Sequence, residues 1–111
     1  MPDSPPLLKG TLDLLVLKAL TFGPMHGFEI VTWLEQRSSG SVGVDDGALY
    51  YALHRMEERG LIESEWRLTG NNRKARYYRM RPVGRAHLRT ERVTLERYAR
   101  ALADILSLRT S

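Results

Sequence analysis

Residues 45–81 read DDGALYYALHRMEERGLIESEWRLTGNNRKARYYRMR, and this stretch decides the fold. Its first part has the spacing of an amphipathic helix. Leu49, Leu53 and Met56 fall at i, i+4 and i+7 with Ala52 beside them, so they share the face that turns to a core. Gly47, Tyr51, His54 and Glu58 lie roughly opposite, with Ala48, Tyr50 and Arg55 on the flanks. Asp45 or Asp46 is placed to cap the helix start, where a carboxylate accepts orphan backbone N–H groups and complements the helix dipole. Arg59 and Gly60 end the helix through a glycine at the expected stop. From Ile62 to Leu68 the apolar positions alternate, the pattern of a half-buried strand. A Gly70-Asn71-Asn72 turn leads to a return strand over 75–80, with Tyr78 and Met80 on one face and Tyr77 and Arg79 on the other.

The charge is placed rather than spread. Residues 67–81 hold six basic side chains and no acidic one, while residues 1–66 hold five basic against ten acidic. Residues 82–111 hold six against three, within a formal net charge of +4. A helix feeding a cationic hairpin is the layout of a winged helix-turn-helix facing DNA. The predicted fold is therefore mainly α: a winged helix-turn-helix with a two-stranded wing and a C-terminal dimerisation helix.

A chain of 111 residues that is 42% hydrophobic suffices for one domain with a modest core. There is no cysteine, which removes disulfides, thiolate metal sites and thiol nucleophiles together. The apolar run over 7–20 is broken by Lys9, Asp13 and Lys18, too polar and too short to span a bilayer. With no signal peptide evident, a cytoplasmic location and no membrane partner are expected.

Residues 1–6 hold three of the five prolines and read as a disordered lead-in. The pattern over 9–20 predicts a helix with Leu12, Leu15, Val16 and Ala19 on one stripe and Leu14, Leu17 and Leu20 nearly closing the circle. Such a helix must be covered on more than one side, which points to a partner chain as a second layer. A turn is expected over 22–25, a helix over 27–37, and a brief strand over 42–44. The domain division follows: 7–81 for the winged helix-turn-helix and 82–111 for the last helix. There Leu88, Leu95 and Leu102 repeat every seven residues with Tyr98 and Ile105 in the complementary seam, a homodimer pattern.

Read in order, these motifs resemble the PadR family of bacterial transcriptional regulators over nearly the whole chain. The stretches that carry the resemblance are KGTLDLLVL from Lys9, GPMHGFEI from Gly23, GALY from Gly47, LHRME from Leu53, RGLI from Arg59, Trp66, RKARYYRM from Arg73, and Gly84. The chain departs from the family pattern at Phe28, Ala48, Tyr51 and Pro82, and Leu95 holds the place where several members carry a ligand-stacking tryptophan. The resemblance implies a homodimeric, DNA-binding repressor acting on a roughly palindromic operator, and leaves open a small-molecule effector.

The residues expected to meet DNA are Gly47, Ala48, Tyr50, Tyr51, His54 and Arg55 on the helix, with Arg73, Lys74 and Arg76 around a flexible wing tip. Small residues let the backbone approach phosphates, and hydroxyl, imidazole and guanidinium groups suit phosphate and base-edge contacts. Glu57 and Glu58 imply that the helix C-terminus points away from DNA. The alternatives are a winged-helix protein-interaction module and a small-molecule sensor acting without direct DNA readout, its site near Leu95 and Tyr98. His26, His54 and His87 stand singly, so neither a metal nor another cofactor is expected. No nucleophile elbow, phosphate loop or paired-carboxylate cleft is present in the pattern, and no enzyme is expected.

Overall fold

The computed structural model describes residues 10–110, so the lead-in expected over 1–6 lies outside the described residues. The elements run α1 (Thr11–Leu20), β1 (Met25–His26), α2 (Gly27–Arg37), α3 (Asp46–Glu58), β2 (Ile62–Leu68), β3 (Lys74–Met80) and α4 (Pro82–Leu106). Three helices and a small antiparallel sheet enclose one core, from which the hairpin and the last helix extend. The mainly helical winged helix-turn-helix expected from the sequence is the fold observed.

Helix α1 is central. Val16, Leu17 and Ala19 are fully buried, and α2, α3, β3 and α4 all pack on this helix. Most of its apolar circumference is thus covered within one chain, with Leu12 and Leu15 left half-buried. Part of that cover is supplied by α4 folding back across α1.

The sheet has strand order β1-β3-β2, with Met25 opposite Tyr78 and His26 opposite Tyr77. This short strand takes the free edge of β3. It replaces both the strand expected over 42–44, where no regular structure forms, and part of the turn expected over 22–25. Val44 meets its apolar demand by packing against the core instead of pairing.

Strands β2 and β3 pair from Ile62–Met80 at the base to Leu68–Lys74 at the far end. Only the base is buried, because β2 runs out of core beyond Ile62. The alternation over 62–68 therefore does not mark a half-buried strand throughout: Trp66 and Leu68 are exposed. The tip is tied rather than loose. The Thr69 amide donates to the Arg73 carbonyl at 2.7 Å, and the Thr69 hydroxyl accepts from the amides of Asn71 and Arg73.

Pro82 occupies the first turn of α4, where its missing N–H is no loss. The preceding Arg81 amide donates to the Leu61 carbonyl at 3.0 Å. Gly84 then lies so close to Leu61 that a Cβ at this position would stand 2.2 Å from the Leu61 carbonyl oxygen. Only glycine permits that approach. Along α4, Leu88 is half-buried and packs against the core of its own chain. Tyr98, Leu102 and Ile105 are exposed, with Leu106 beyond them.

Candidate nucleic-acid interface

Helix α3 presents one face inward and the other to solvent, as its spacing predicts. Leu49, Ala52, Leu53 and Met56 are all buried in the core. Asp45 is the cap: its Oδ2 accepts from the Ala48 amide at 3.1 Å. Gly47, Ala48, Tyr50, Tyr51 and His54 are exposed, with Tyr50 at 65% and Tyr51 at 67%. The imidazole of His54 lies 3.7 Å from the Glu58 carboxylate on the same face.

Arg55 differs from its neighbours. Its Nη2 donates to both carboxylate oxygens of Asp13, at 2.6 and 2.8 Å, tying α3 to α1. The Asp13 side chain is only 7% exposed, and this pair is how its charge is compensated inside the fold. The same pair holds the Arg55 guanidinium above its ordinary pKa, chiefly through the hydrogen bond to Asp13. The guanidinium also lies 5.1 Å from the centre of the Tyr51 ring. Arg55 therefore anchors the helix and backs Tyr51, a role that its flank position alone does not reveal.

The wing closes the site from the other side. Trp66, Arg76 and Lys74 share one face of the hairpin, because Trp66 is paired with Arg76 and Leu68 with Lys74. Together with Arg73 they form one wall of an open groove of about 1060 Å³. Its other wall is α3 with Tyr50, His54, Glu57 and Glu58, and Phe28 at the start of α2 stands at its edge. From the sequence, Glu57 and Glu58 mark a helix end expected to point away from DNA. The structure puts both in the groove.

The three cations of the wing are not equivalent. Among the described residues, no carboxylate lies within ion-pair distance of Arg73 or Lys74. Arg76 instead reaches back toward α3, its Nη2 lying 3.4 and 3.5 Å from the Glu57 carboxylate oxygens. The opposite face of the hairpin is laced by its own pairs. Arg79 donates to Glu63 at 2.7 Å, and the Arg67 guanidinium lies 4.3 Å from the centre of the Tyr77 ring. Net positive charge is thus left at the tip and on the groove side.

Trp66 escaped the sequence reading as a site residue. Its place in the alternating strand predicts half-burial, whereas it is 63% exposed. The available signal was its company, since an aromatic placed among arginines beyond the end of a core faces a partner or solvent. Tyr78, at the groove floor, is buried, and that burial raises its phenol above the ordinary value. His26 caps α2, its Nδ1 accepting from the Glu29 amide at 3.3 Å while the Glu29 carboxylate accepts from the His26 amide.

The exposed face of α3 beside a basic hairpin defines the class, a winged-helix regulator of transcription. Residues 16–90 match the Transcriptional regulator PadR-like family. The chain is 38% identical over 93 residues to the transcriptional regulator Rv3488 of Mycobacterium tuberculosis, covering 83% of this chain and 82% of that protein. A PadR family transcriptional regulator from Eggerthella lenta superposes with a TM-score of 0.75 at 28% identity, covering 91% of this chain and 86% of that one. A PadR-like transcriptional regulator from Bacillus cereus shares the fold, with a TM-score of 0.76 at 24% identity over 92% of this chain and 97% of that one. The chain belongs to the PadR-like family of transcriptional regulators. Among the described residues, no helix is long and apolar enough to cross a membrane.

Proposed function

We propose that this regulator is a homodimeric repressor that binds a roughly palindromic DNA operator directly, with α3 in the major groove and the wing on the flanking backbone. The observation that carries this reading is the groove itself. The exposed face of α3 and the cationic face of the hairpin converge there, with Tyr50, His54, Trp66, Arg73, Lys74 and Arg76 around one opening. Gly47 and Ala48, at the exposed helix start, leave room for a phosphate to approach the backbone. In a two-fold dimer the two α3 helices would enter major grooves about 34 Å apart, one turn of the duplex.

The dimer is proposed from α4. Leu95, Tyr98, Leu102 and Ile105 continue a sevenfold apolar repeat beyond the point where the chain's own core can cover it. A second chain offering the same stripe is the simplest cover.

Salt titration tests the DNA reading. A phosphate binder loses affinity linearly in log salt, with a slope of roughly 0.9 per phosphate neutralised. Replacing Arg73 and Lys74 by Ala should flatten that slope by roughly two and weaken binding to operator and random duplex alike. A slope unchanged by the double substitution would take the wing tip off the duplex. Duplex affinity that does not vary with salt would favour a protein-interaction module.

A second reading, regulation by a small molecule, draws on the cleft of about 400 Å³ between α1 and α4. Leu95, Tyr98, His87 and Asp13 are among its lining residues. Because Asp13 also holds Arg55, a ligand there would touch the anchor of the recognition helix.

A further inference from the structure

Two arginines reach carboxylates across elements, and the two pairs are built differently. Arg55 holds the buried Asp13 at 2.6 and 2.8 Å. Arg76 stands 3.4 and 3.5 Å from Glu57, with 43% of its side chain and 30% of that of Glu57 exposed. Ser64 links this second pair. Its hydroxyl donates to Glu57 at 2.7 Å and accepts from Nε of Arg76 at 2.7 Å. The Arg76 guanidinium also lies 5.8 Å from the centre of the Trp66 ring. One chain of contacts therefore joins the end of α3 to both strands of the wing, inside the groove proposed to receive DNA.

The chemistry of this arrangement is competition. A loose, half-exposed ion pair adds little net stability, so a phosphate can displace it. When Arg76 leaves for a phosphate, Glu57 keeps only its bond from Ser64 and stands as a bare anion beside a polyanion. That is a cost incurred each time Arg76 engages DNA, whatever the sequence. It therefore weakens operator and random duplex alike, and holds down the affinity that the wing lends to any DNA.

We propose that Glu57 acts as a built-in phosphate competitor for Arg76, and so holds down the protein's sequence-independent affinity for DNA. The inference rests on the DNA-binding reading above. It makes Glu57 a brake on phosphate binding rather than a contact to DNA.

The test is the affinity of the full-length dimer for a random-sequence duplex at low salt, read for Glu57→Gln, Glu58→Gln, Arg76→Gln and Glu57→Gln/Arg76→Gln. Glu58 lies in the same groove and carries the same charge, but it does not touch Arg76. Glu57→Gln should tighten random-duplex binding roughly three- to tenfold and steepen the salt slope by roughly 0.9, one further phosphate. Glu58→Gln should give a smaller gain, and Glu57→Gln in the Arg76→Gln background should gain no more than Glu58→Gln does. Ser64→Ala, which cuts the link without removing a charge, should shift affinity in the same direction by less. It supplies the reading if Glu57→Gln proves too unstable to assay. Equal gains for Glu57→Gln and Glu58→Gln, or a gain that survives loss of Arg76, would reduce the effect to general charge and overturn the proposal. So would unchanged or weakened binding by a folded Glu57→Gln. A wild-type protein that binds no duplex even at low salt overturns the DNA-binding reading and this inference with it. Binding by wild type without a gain in the variant overturns only the inference.

Discussion

Helix α3 and the outer half of α4 carry apolar side chains at helical spacing, yet one set is buried and the other stands in solvent. Leu49, Leu53 and Met56 are almost completely buried, while Ile105 is 64% exposed. Spacing reports that a stripe exists and is silent on what covers it. On α3 the cover is α1 and the base of the sheet. On α4 it is α1 as far as about Leu95, and nothing among the described residues after that. The difference separates the part of the molecule that makes it a folded domain from the part that the proposed dimer would cover.

The largest way to break this contrast is at the proposed seam. Leu95→Asp with Leu102→Asp would bury two unpaired carboxylates in a dimer, at a cost of roughly 4 kcal/mol or more of association. The variant should sediment as a folded monomer. A variant that still sediments as a dimer would place the interface elsewhere. Next in size is the core: Leu53→Ala should lower unfolding free energy by roughly 2–5 kcal/mol, through lost contacts and a cavity. Denaturant titration measures it. Leu102→Ala, the same kind of truncation on the exposed stripe, should show a cost that varies with protein concentration.

Gly84→Ala probes the junction between the two regions. A methyl placed against the Leu61 carbonyl must push the helix away, costing about 1–3 kcal/mol. A fully stable Gly84→Ala would show that the close approach is not needed. Asp13→Asn should cost about 1–2 kcal/mol, toward the low end because Arg55 can swing into water. It should also weaken DNA binding by loosening the backing of Tyr51. Tyr50→Phe is the smallest change in stability, within about 0.5 kcal/mol, because the side chain is exposed. Its binding cost should be about 1.5–3 kcal/mol if the hydroxyl meets a phosphate. A destabilised Tyr50→Phe with intact affinity would mean that the orientation assigned to α3 is wrong. Tyr78 adds a pH signature. Its raised phenol leaves stability whole below about pH 10, and the loss comes as pH climbs from there through the folded value. Tyr78→Phe should flatten that alkaline slope.

The legible parts of the sequence were those specified by neighbours in the chain. The core face of α3, its Asp45 cap, the Gly60 stop, the hairpin and the start of α4 at Pro82 all follow from spacing within a few residues. What stayed hidden depends on distant partners. Asp13 and Arg55 are separated by 42 positions, so nothing near Arg55 reveals that its charge is taken. A two-residue strand such as β1 has no period to read. Trp66 misled because alternation looks the same whether the strand runs under a core or past it. The over-apolar circumference of α1 was real, but four elements of the same chain cover most of it.

Gly84 has a mechanical side. Helix α4 has 25 residues, so at 1.5 Å per residue it is a lever roughly 37 Å long, pivoting where its first turn rests on the Leu61 carbonyl. A tilt of roughly ten degrees at the pivot swings the far end by roughly 6 Å over that length. In the proposed dimer the far ends are clasped together, so the same rotation would instead move the two domains, altering the distance between their α3 helices. Duplex DNA offers successive major grooves at a fixed pitch of roughly 34 Å and tolerates little error in that distance. The missing methyl of one glycine would then act as the setting on a pair of calipers.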